Sequence, residues 1–252
     1  MGTLAAGLAH EINNPLVPIS TFLQMLPAKR RETSEDSEYW GTLYQVTVKE
    51  VERIRGLIRQ LLTYSKFTGE SASVFEAVDF NAVLGQMAVL LTSQARTKGV
   101  SIEVKPDTSL GPVHLDQERM KQVFLNLMLN AIQAMPSGGT LTVSSRATTV
   151  RSTPHVELRV TDTGVGISEE NLERLFTPFF TTKGHEGSGL GLLTCHQVVE
   201  EHRGTISVES VIGRGTTFVV SLPLNPRTQD RRNGDRRSRG RGDDESSLPA
   251  AA

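Results

Sequence analysis

The stretch Ala9-His10-Glu11-Ile12-Asn13-Asn14-Pro15-Leu16 lies in a segment whose apolar residues recur with the period of a helix. The predicted buried stripe consists of Leu4, Leu8, Ile12, Leu16, Ile19, Leu23 and Leu26. His10 stands two positions from its nearest stripe neighbours, so its imidazole is predicted to point away from them. Glu11 follows directly, and Asn14 is one turn further on over the same face. This arrangement suits nucleophilic chemistry, although an ordinary surface histidine on an amphipathic helix fits the same pattern.

A second helical pattern runs from about Asp36 to Phe67, with apolar residues about 3.5 positions apart. Residues 28–37 between the two patterns are polar and charged, and Pro27 is predicted to end the first helix. Two such helices form an antiparallel hairpin whose core is too narrow to stand alone. Two copies are therefore expected to pair into a dimeric four-helix bundle. The prolines that follow His10 each remove a helical hydrogen bond and predict a bend there.

From about Val74 the pattern changes to alternating strands and helices. Asp79 or Asn81 is predicted to cap one helix, and Asp116 a strongly periodic helix that runs through Met135. Strands are predicted at 74–78, 100–104, 140–148, 155–161, 205–209 and 216–222, a polar turn at 151–154, and helices at 171–175 and 189–202. The order is mixed, so a two-layer α/β sandwich fits better than a doubly wound sheet.

With 252 residues, the chain is predicted to contain two domains, at 1–68 and 72–225, and a disordered tail at 226–252 for which electrostatic docking is the alternative. Its 27 basic and 28 acidic residues nearly cancel, so no nucleic-acid partner is expected. One cysteine, Cys195, excludes an internal disulfide and fits a reducing compartment. Without an apolar run of membrane-spanning length, a cytoplasmic segment with no membrane contact is expected. The helix begins so close to Met1 that an upstream segment is expected as well.

Two carboxamides, Asn126 and Asn130, stand one turn apart on an otherwise apolar helix. Such groups need partners when buried, and a carboxamide oxygen is a ligand suited to magnesium. A pair of structural asparagines is the alternative interpretation.

Three glycine- or phenylalanine-rich stretches follow. Residues 162–167 (DTGVGI) put a carboxylate at the end of a strand, where it can accept a hydrogen bond from an exocyclic amine, and the glycines allow close approach of a planar base. Residues 187–191 (GSGLG) open a helix with free N–H groups suited to phosphates, although turns use glycine freely. Residues 175–183 (LFTPFFTTK) combine phenylalanines that can clamp the loop with Lys183, which can meet a phosphate.

Together these motifs resemble the histidine kinases of two-component signalling. The segment from His10 is similar to that family's H box, 126–130 to the N box, 162–166 to the G1 box, 176–180 to the F box, 187–191 to the G2 box and 213–218 to the final glycine-threonine element. The resemblance covers about residues 1–224, in the family's usual order. The subgroup with an Asn-Pro-Leu H box and a Thr-Thr-Lys lid, which includes nitrogen-regulation kinases, is the most similar.

The resemblance implies a dimerisation and phosphotransfer hairpin followed by a Bergerat-type ATP-binding domain, the fold shared with heat-shock and mismatch-repair ATPases. Asp162 would bind the adenine amine, Asn130 magnesium, and Asn126 the phosphate side. Many relatives carry lysine where this chain has Gln133, and Lys183 would supply that charge. The implied nucleotide-binding residues are Asn126, Asn130, Gln133, Asp162, Gly164, Gly166, Ile167, Lys183, Gly187, Ser188, Gly189, Leu190 and Thr216.

The implied reaction is attack of neutral His10 on the γ-phosphate of ATP, with Glu11 orienting the ring and taking its proton. The phosphoryl group would pass to an aspartate of a response-regulator receiver domain, and Asn14 would position water for a phosphatase reaction. Alternatives are an ATPase machine without a phosphohistidine, a dimeric scaffold that only binds nucleotide, and a serine kinase of the anti-sigma class. His10 and its helical hairpin argue against the ATPase, and serine kinases of the anti-sigma class lack such a hairpin. The intact His10, Asn130 and Asp162 argue against the scaffold.

Overall fold

The computed structural model describes residues 2–29, 39–51, 54, 56, 74–182 and 189–226, and only the backbone of 2–12 and 27–29. The chain divides into two compact units. One contains Met1–Ser73 with Ile167–Gln197, and the other contains Val74–Gly166 with Val198–Ala252.

The first unit begins with helix α1, Gly2–Lys29, and helix α2, residues 39–51. The ring of Phe22 lies 6.5 Å from the ring of Trp40 and 6.4 Å from that of Tyr44. Because the second half of α1 thereby meets the start of α2, the helices form the predicted antiparallel hairpin. The predicted continuation of α2 to Phe67 lies mostly outside the described residues.

One expectation about α1 is wrong. The helix continues through Pro27 and ends at Lys29, because a missing N–H this close to the helix end removes a single hydrogen bond. Leu16, Leu23 and Leu26 of the predicted buried stripe are exposed in the single chain. Because the sequence predicts that two hairpins pair into a bundle, the burial of this stripe stays a prediction. The predicted bend after His10 stays a prediction.

The rest of the first unit contains helix α5, Glu169–Arg174, and most of helix α6, Gly191–Glu201. The prediction placed α5 two residues late and began α6 two residues early. Ser168 is the N-terminal cap of α5, but its side chain makes no capping hydrogen bond.

The second unit is built on a five-stranded sheet of order β2-β4-β5-β7-β6, in which only β2 and β4 are parallel neighbours. Its strands are β2 Val100–Lys105, β4 Gly139–Val150, β5 Thr153–Asp162, β6 Thr205–Val211 and β7 Gly215–Pro223. A separate pair joins β1, Glu76–Val78, to β3, Val113–Leu115. The sequence did not predict β3. Strand β1 is two residues shorter than expected, because its pairing with β3 begins at Glu76 and leaves out Val74 and Phe75.

Helices α3, Phe80–Thr97, and α4, Gln117–Gln133, pack on each other and on the sheet. The side chain of Asp116 accepts from the N–H of Arg119 at 3.2 Å, which confirms this predicted cap. Of the two residues predicted to cap α3, Asp79 is the cap, because its side chain accepts from the N–H of Ala82 at 3.0 Å. Every second residue of β5 and β7 is buried, so one face of the sheet faces the helices. This architecture is the expected two-layer Bergerat-type sandwich.

The hairpin between β4 and β5 is tighter than predicted. Only Arg151 and Ser152 form its turn, with φ angles of 47° and 64°. This left-handed conformation matches the twist of a two-residue hairpin, where asparagine and glycine are the usual signal. No helix among the described residues is long and apolar enough to cross a membrane.

Candidate nucleotide-binding site

Polar side chains occupy one end of the buried face of the sheet. Asp162 on β5 pairs with Thr216 on β7, which pairs with Ser210 on β6. Directly opposite residues share a face, so the three side chains form a row. The next row on this face contains Val160 and Phe218, both buried. A polar row at the edge of an apolar face is a place where a ligand with polar groups can bind.

Asp162 is 4% exposed, and one of its two carboxylate oxygens is used by the protein. Oδ1 accepts the N–H of Gly164 at 2.8 Å and that of Thr216 at 3.2 Å. Oδ2 has no hydrogen-bond partner among the residues that the structure describes. Burial raises the pKa of the Asp162 carboxyl, and the two hydrogen bonds partly oppose that rise. The site therefore holds a fixed, buried acceptor suited to a donor such as an exocyclic amine.

The glycines after Asp162 are required by the protein's own backbone. A Cβ at Gly164 would overlap the carbonyl of Ala134, and one at Gly166 (φ 73°) would overlap the carbonyl of Val211. The close approach of a planar base at these glycines stays a prediction. Hydrogen bonds from Val165 N–H to Ala134 O (3.0 Å) and from Gly213 N–H to Val165 O (2.8 Å) hold the segment. It is clamped between the end of α4 and the β6–β7 turn.

Gly215 has a related role, on the opposite strand. With φ of 113°, it lets β7 approach so closely that a Cβ there would overlap the carbonyl of Asp162. This approach brings the N–H of Thr216 to the Asp162 carboxylate. The hydroxyl of Thr216 in turn lies 2.9 Å from Ser210 Oγ. The glycine-threonine element therefore positions the acceptor.

The end of helix α4 lies beside residues 164–165, in the segment that follows Asp162. Asn130 lies in the last turn of α4, which ends beside Gly164 and Val165 through the contacts of Ala134. Asn126, one turn earlier, is half-buried like Asn130, whereas Gln133 is exposed. The structure thus brings the last turn of the N-box helix to the segment that follows Asp162.

A magnesium ion fits this donor set only with help from a ligand. Among the described residues, no group of three or more His, Cys, Asp or Glu could hold a metal ion. The carboxamide oxygen of Asn130 is a hard donor of the type magnesium accepts, and magnesium usually keeps waters and binds substrate phosphates. The residues present fit a magnesium ion that arrives with a nucleotide.

The remaining residues predicted to bind nucleotide lie in the first unit. Gly189 has a φ of 63°, and a Cβ there would meet the backbone of Phe179 and Phe180. Leu190 is buried, and its carbonyl accepts the N–H of Thr194 in the first turn of α6. Ile167 is half-buried. The predicted Lys183, Gly187 and Ser188 lie outside the described residues.

Aromatic contacts hold the phenylalanine-rich stretch, as its composition predicted. The ring of Phe176 lies 5.3 Å from that of His196, and the guanidinium of Arg174 lies 4.6 Å from the centre of the Phe180 ring. These two contacts hold Phe176 and Phe180 within the first unit.

The predicted phosphoacceptor lies on α1. His10 and Glu11 are within the helix, and their side chains lie outside the described part of the chain. Asn14 is exposed. Sequence reasoning missed two residues near the nucleotide-binding elements, Ser210 and His202. The predicted hairpin around 213–215 was a signal that could have found Ser210, which pairs with Thr216. No local signal pointed to His202, which contacts Asp116 at the start of α4.

Two family models match the chain in succession. Residues 1–70 match the His Kinase A (phospho-acceptor) domain, and residues 115–226 match the histidine kinase-, DNA gyrase B- and HSP90-like ATPase. The chain is 35% identical over 233 residues to sporulation kinase E of Bacillus subtilis, covering 92% of this chain and 30% of that protein. It is 37% identical over 230 residues to the sensor histidine kinase ZraS of Escherichia coli, covering 91% of this chain and 47% of ZraS. The chain thus spans less than half the length of these relatives.

Solved structures agree. The nucleotide-free catalytic domain of the histidine kinase ThkA is 32% identical with a TM-score of 0.55, covering 61% of this chain and 98% of that one. ThkA in complex with the response regulator protein TrrA is 28% identical with a TM-score of 0.69, covering 90% of this chain and 62% of that one. The site built around Asp162, the phosphoacceptor match on α1 and these relatives agree, and the chain belongs to the histidine kinases.

Proposed function

We propose that the chain is the transmitter core of a sensor histidine kinase, which phosphorylates His10 from ATP and passes the phosphoryl group to an aspartate of a response regulator. The observation that carries the nucleotide part is the buried Asp162, whose Oδ1 is held by two N–H groups while Oδ2 has no partner among the described residues. The ATPase-family match over 115–226 supports ATP as the nucleotide. The division into domains at 1–68 and 72–225 with a tail at 226–252 belongs to the same proposal.

Asp162 would accept the exocyclic amine of adenine through Oδ2. Thr216 lies beside it in the polar row and would meet the same edge of the base. Guanine presents a carbonyl where adenine has its amine, so a carboxylate acceptor at this position disfavours GTP. Gly164, Gly166 and Ile167 would border the base by holding the segment after Asp162 in place.

The phosphates would lie towards Asn126, Asn130 and Gln133 on α4 and towards the loop residues at 183 and 187–190. Asn130 would hold magnesium. When bound, the ion supplies positive charge that stabilises the transferring phosphoryl group. Lys183 would add a second positive charge in place of the lysine that Gln133 replaces.

His10 would attack the γ-phosphorus through its unprotonated ring nitrogen. A P–N bond forms, the bond from the γ-phosphorus to the bridging oxygen breaks, and ADP leaves with the electron pair. Glu11, next in sequence, would take the proton from the other ring nitrogen. A receiver-domain aspartate then attacks the same phosphorus, which regenerates His10 and forms an acyl phosphate.

The partners that fit are a second copy of the chain and a receiver domain. Apolar residues of α1 and α2 are exposed in the single chain, as expected if two hairpins form a four-helix bundle. ThkA provides a relative in complex with a response regulator. The cytoplasmic location and the nitrogen-regulation-like subgroup are parts of this proposal that rest on the sequence.

Asn14 would give the same helix a phosphatase function. It is exposed one turn beyond His10, where its carboxamide can hold a water against a phosphorylated receiver. Asn14→Ala should leave autophosphorylation within a few fold, while regulator dephosphorylation in the presence of ADP falls sharply. Equal decay of the phospho-regulator with wild type and variant, both faster than the regulator alone, would rule out this role.

Incubation of the chain with γ-labelled ATP tests the proposed kinase reaction. Protein-bound label that is labile in acid and stable in base is expected, because a phosphohistidine P–N bond behaves this way. Label that survives acid would indicate a serine kinase. Release of labelled phosphate without protein-bound label would indicate an ATPase, and binding alone would indicate a scaffold.

A further inference from the structure

The end of helix α6 turns the ring of His202 back along its own helix. Arg203 adopts the left-handed conformation (φ 57°), with its N–H bonded to Glu200 O and that of Gly204 bonded to Val199 O, both at 2.8 Å. This pair of hydrogen bonds is the Schellman ending of a helix, and it makes His202 the C-terminal cap.

Both nitrogens of the His202 ring have partners. Nδ1 lies 2.7 Å from the carbonyl of Val198, which can only accept, so Nδ1 carries the proton. Nε2 lies 2.9 Å from the backbone N–H of Asp116, which can only donate, so Nε2 accepts. The two partners therefore fix His202 as a neutral imidazole protonated on Nδ1. The side chain is only 2% exposed, so water does not reach the ring to replace a lost hydrogen bond. Losing either bond would leave a buried polar group unsatisfied.

The N–H that His202 receives belongs to the N-terminal cap of α4. Asp116 caps this helix through Oδ1, which accepts the N–H of Arg119 at 3.2 Å. Arg119 also forms an ion pair with Glu201, the residue before His202, and its Nε lies 3.4 Å from Asp116 Oδ2. The end of α6 and the start of α4 are thus joined twice, once through the neutral ring and once through the ion pair.

The imidazole ring of His202 also contacts the start of the second unit. The ring of Phe75 lies 4.8 Å from that of His202 at a tilt of 46°. Phe75 is the second residue of this unit, just after the chain leaves the unit that contains the phosphotransfer helices. One buried side chain therefore contacts three segments: the incoming chain, the cap of α4 and its own helix.

We propose that His202 is a positioning residue for nucleotide binding: its neutral ring, by accepting the Asp116 N–H, fixes the N-terminus of α4 and hence the helix that carries Asn126 and Asn130. This inference rests on the proposed role of α4 in binding ATP. An α-helix is stiff, so a shift of its N-terminus at Asp116 is transmitted along α4 to Asn126 and Asn130.

Protonation would break this arrangement, because an imidazolium donates from both nitrogens and cannot accept the Asp116 N–H. Burial lowers the pKa of His202, and the charge of Arg119 lowers it further, while the Val198 hydrogen bond and the charges of Asp116 and Glu201 oppose the shift. Because the folded-state pKa is below the unfolded value of about 6.5, the stabilisation is complete above that pH. It is lost as pH falls through the lowered pKa.

Two substitutions separate the acceptor from the packing. His202→Gln keeps an acceptor at a similar reach and does not titrate, whereas His202→Leu fills the space without an acceptor. We expect His202→Leu to weaken ATP binding by about fivefold, measured by calorimetry on the whole chain near neutral pH. We expect His202→Gln to stay within about twofold of wild type, and the Asp116 amide to exchange faster with solvent only in the leucine variant. As pH falls through the lowered pKa of His202, wild type should lose affinity more steeply than His202→Gln.

His155→Gln is the matched control. His155 is also a buried histidine of the same unit with Nδ1 bonded to a carbonyl, that of Thr153 at 2.8 Å, but it lies at the β4–β5 turn. This variant should bind ATP like wild type. Unchanged ATP affinity in His202→Leu, or equal losses in the leucine and glutamine variants, would overturn the inference alone. A wild-type chain that binds no ATP would overturn the proposed function and this inference with it.

Discussion

The helical hairpin and the sheet domain differ in how far each completes its own core. In the sheet domain, Leu141, Val143 and Val156 are all 0% exposed. In the hairpin, Leu23 is 56% exposed although it belongs to the apolar stripe of α1. Among the described residues of the hairpin, the ring of Phe22 packs against the rings of Trp40 and Tyr44.

The sheet domain and the hairpin therefore differ in whether one chain can bury their apolar residues. The sheet domain buries its apolar face under α3 and α4 and needs no second chain for its core. The hairpin exposes apolar side chains of α1 and α2, a surface of the kind that a second hairpin can cover. The proposed four-helix bundle would therefore need two chains, whereas the core of the sheet domain needs one.

The largest expected effect is loss of the sheet domain through Gly215→Ala. The substitution puts a Cβ against the carbonyl of Asp162 and forces alanine to a φ of 113°. A destabilisation of about 3 kcal/mol or more is expected from denaturant unfolding. Gly85→Ala is the control, because Gly85 lies within α3 with open space around its Cβ position. It should stabilise the protein by about 0.5–1 kcal/mol. Equal stability of the two variants would contradict the role assigned to Gly215.

Leu23→Asp should separate the dimer while leaving the sheet domain folded. A two-fold bundle contains the substitution twice, so two charges would enter the apolar interface. The dimer dissociation constant should rise by about a hundredfold or more, measured by analytical ultracentrifugation. Val89→Asp on α3, where the side chain is 77% exposed, should leave the dimer intact. A dimer unaffected by Leu23→Asp would remove the stripe from the interface.

Asp162→Asn should weaken ATP binding without unfolding the domain. Asparagine can keep the Gly164 and Thr216 bonds through its oxygen, but its amide replaces the Oδ2 acceptor with a donor. The loss should be about 1–3 kcal/mol, or about ten- to a hundredfold in affinity by calorimetry. Asp107→Asn, in the same unit but bonded to Ser109 and Ala147, should leave ATP affinity unchanged. Unchanged affinity in Asp162→Asn would exclude this residue from the pocket.

Because the pKa of Asp162 is raised, ATP binding is expected to depend on pH. Binding should weaken as pH falls through this pKa, because the protonated carboxyl loses its charge. The weakening should begin at a higher pH than for an ordinary aspartate, whose pKa is about 4. For stability the sign is opposite: the contribution of Asp162 is present below the unfolded pKa and is lost as pH rises through the folded one. Asp162→Asn should therefore not lower the free energy of unfolding at neutral pH. A marked loss of stability would assign the residue a structural role.

The sequence was sufficient where the signal is local. Asp79 and Asp116 cap helices because a short acidic side chain precedes each apolar-periodic segment. Asp116 was predicted as a cap, and Asp79 was one of the two residues predicted for the other. The position of Asp162 at the end of a strand was also visible from the alternation before it. The resemblance to histidine kinases then supplied its expected role.

The sequence did not predict features that depend on contacts between residues far apart in the chain. The three residues of β3 form a strand only by pairing with β1, and Arg151 and Ser152 adopt left-handed conformations because the hairpin requires them. The space at Gly164 and Gly166 is filled by carbonyls from α4 and β6, which no local pattern indicates. His202 gains its role from a residue 86 positions earlier in the chain.

The most direct measurement of the central claim, that acceptor and nucleotide site lie on different parts of the chain, pairs two assays on His10→Gln. Label from γ-labelled ATP and ATP affinity by calorimetry should be measured on wild type, His10→Gln and Asp162→Asn. The account predicts that His10→Gln loses the acid-labile label and keeps wild-type ATP affinity, whereas Asp162→Asn binds ATP about ten- to a hundredfold more weakly and carries less label at limiting ATP. Undiminished acid-labile label in His10→Gln would contradict the account, because another residue would then be the phosphoacceptor.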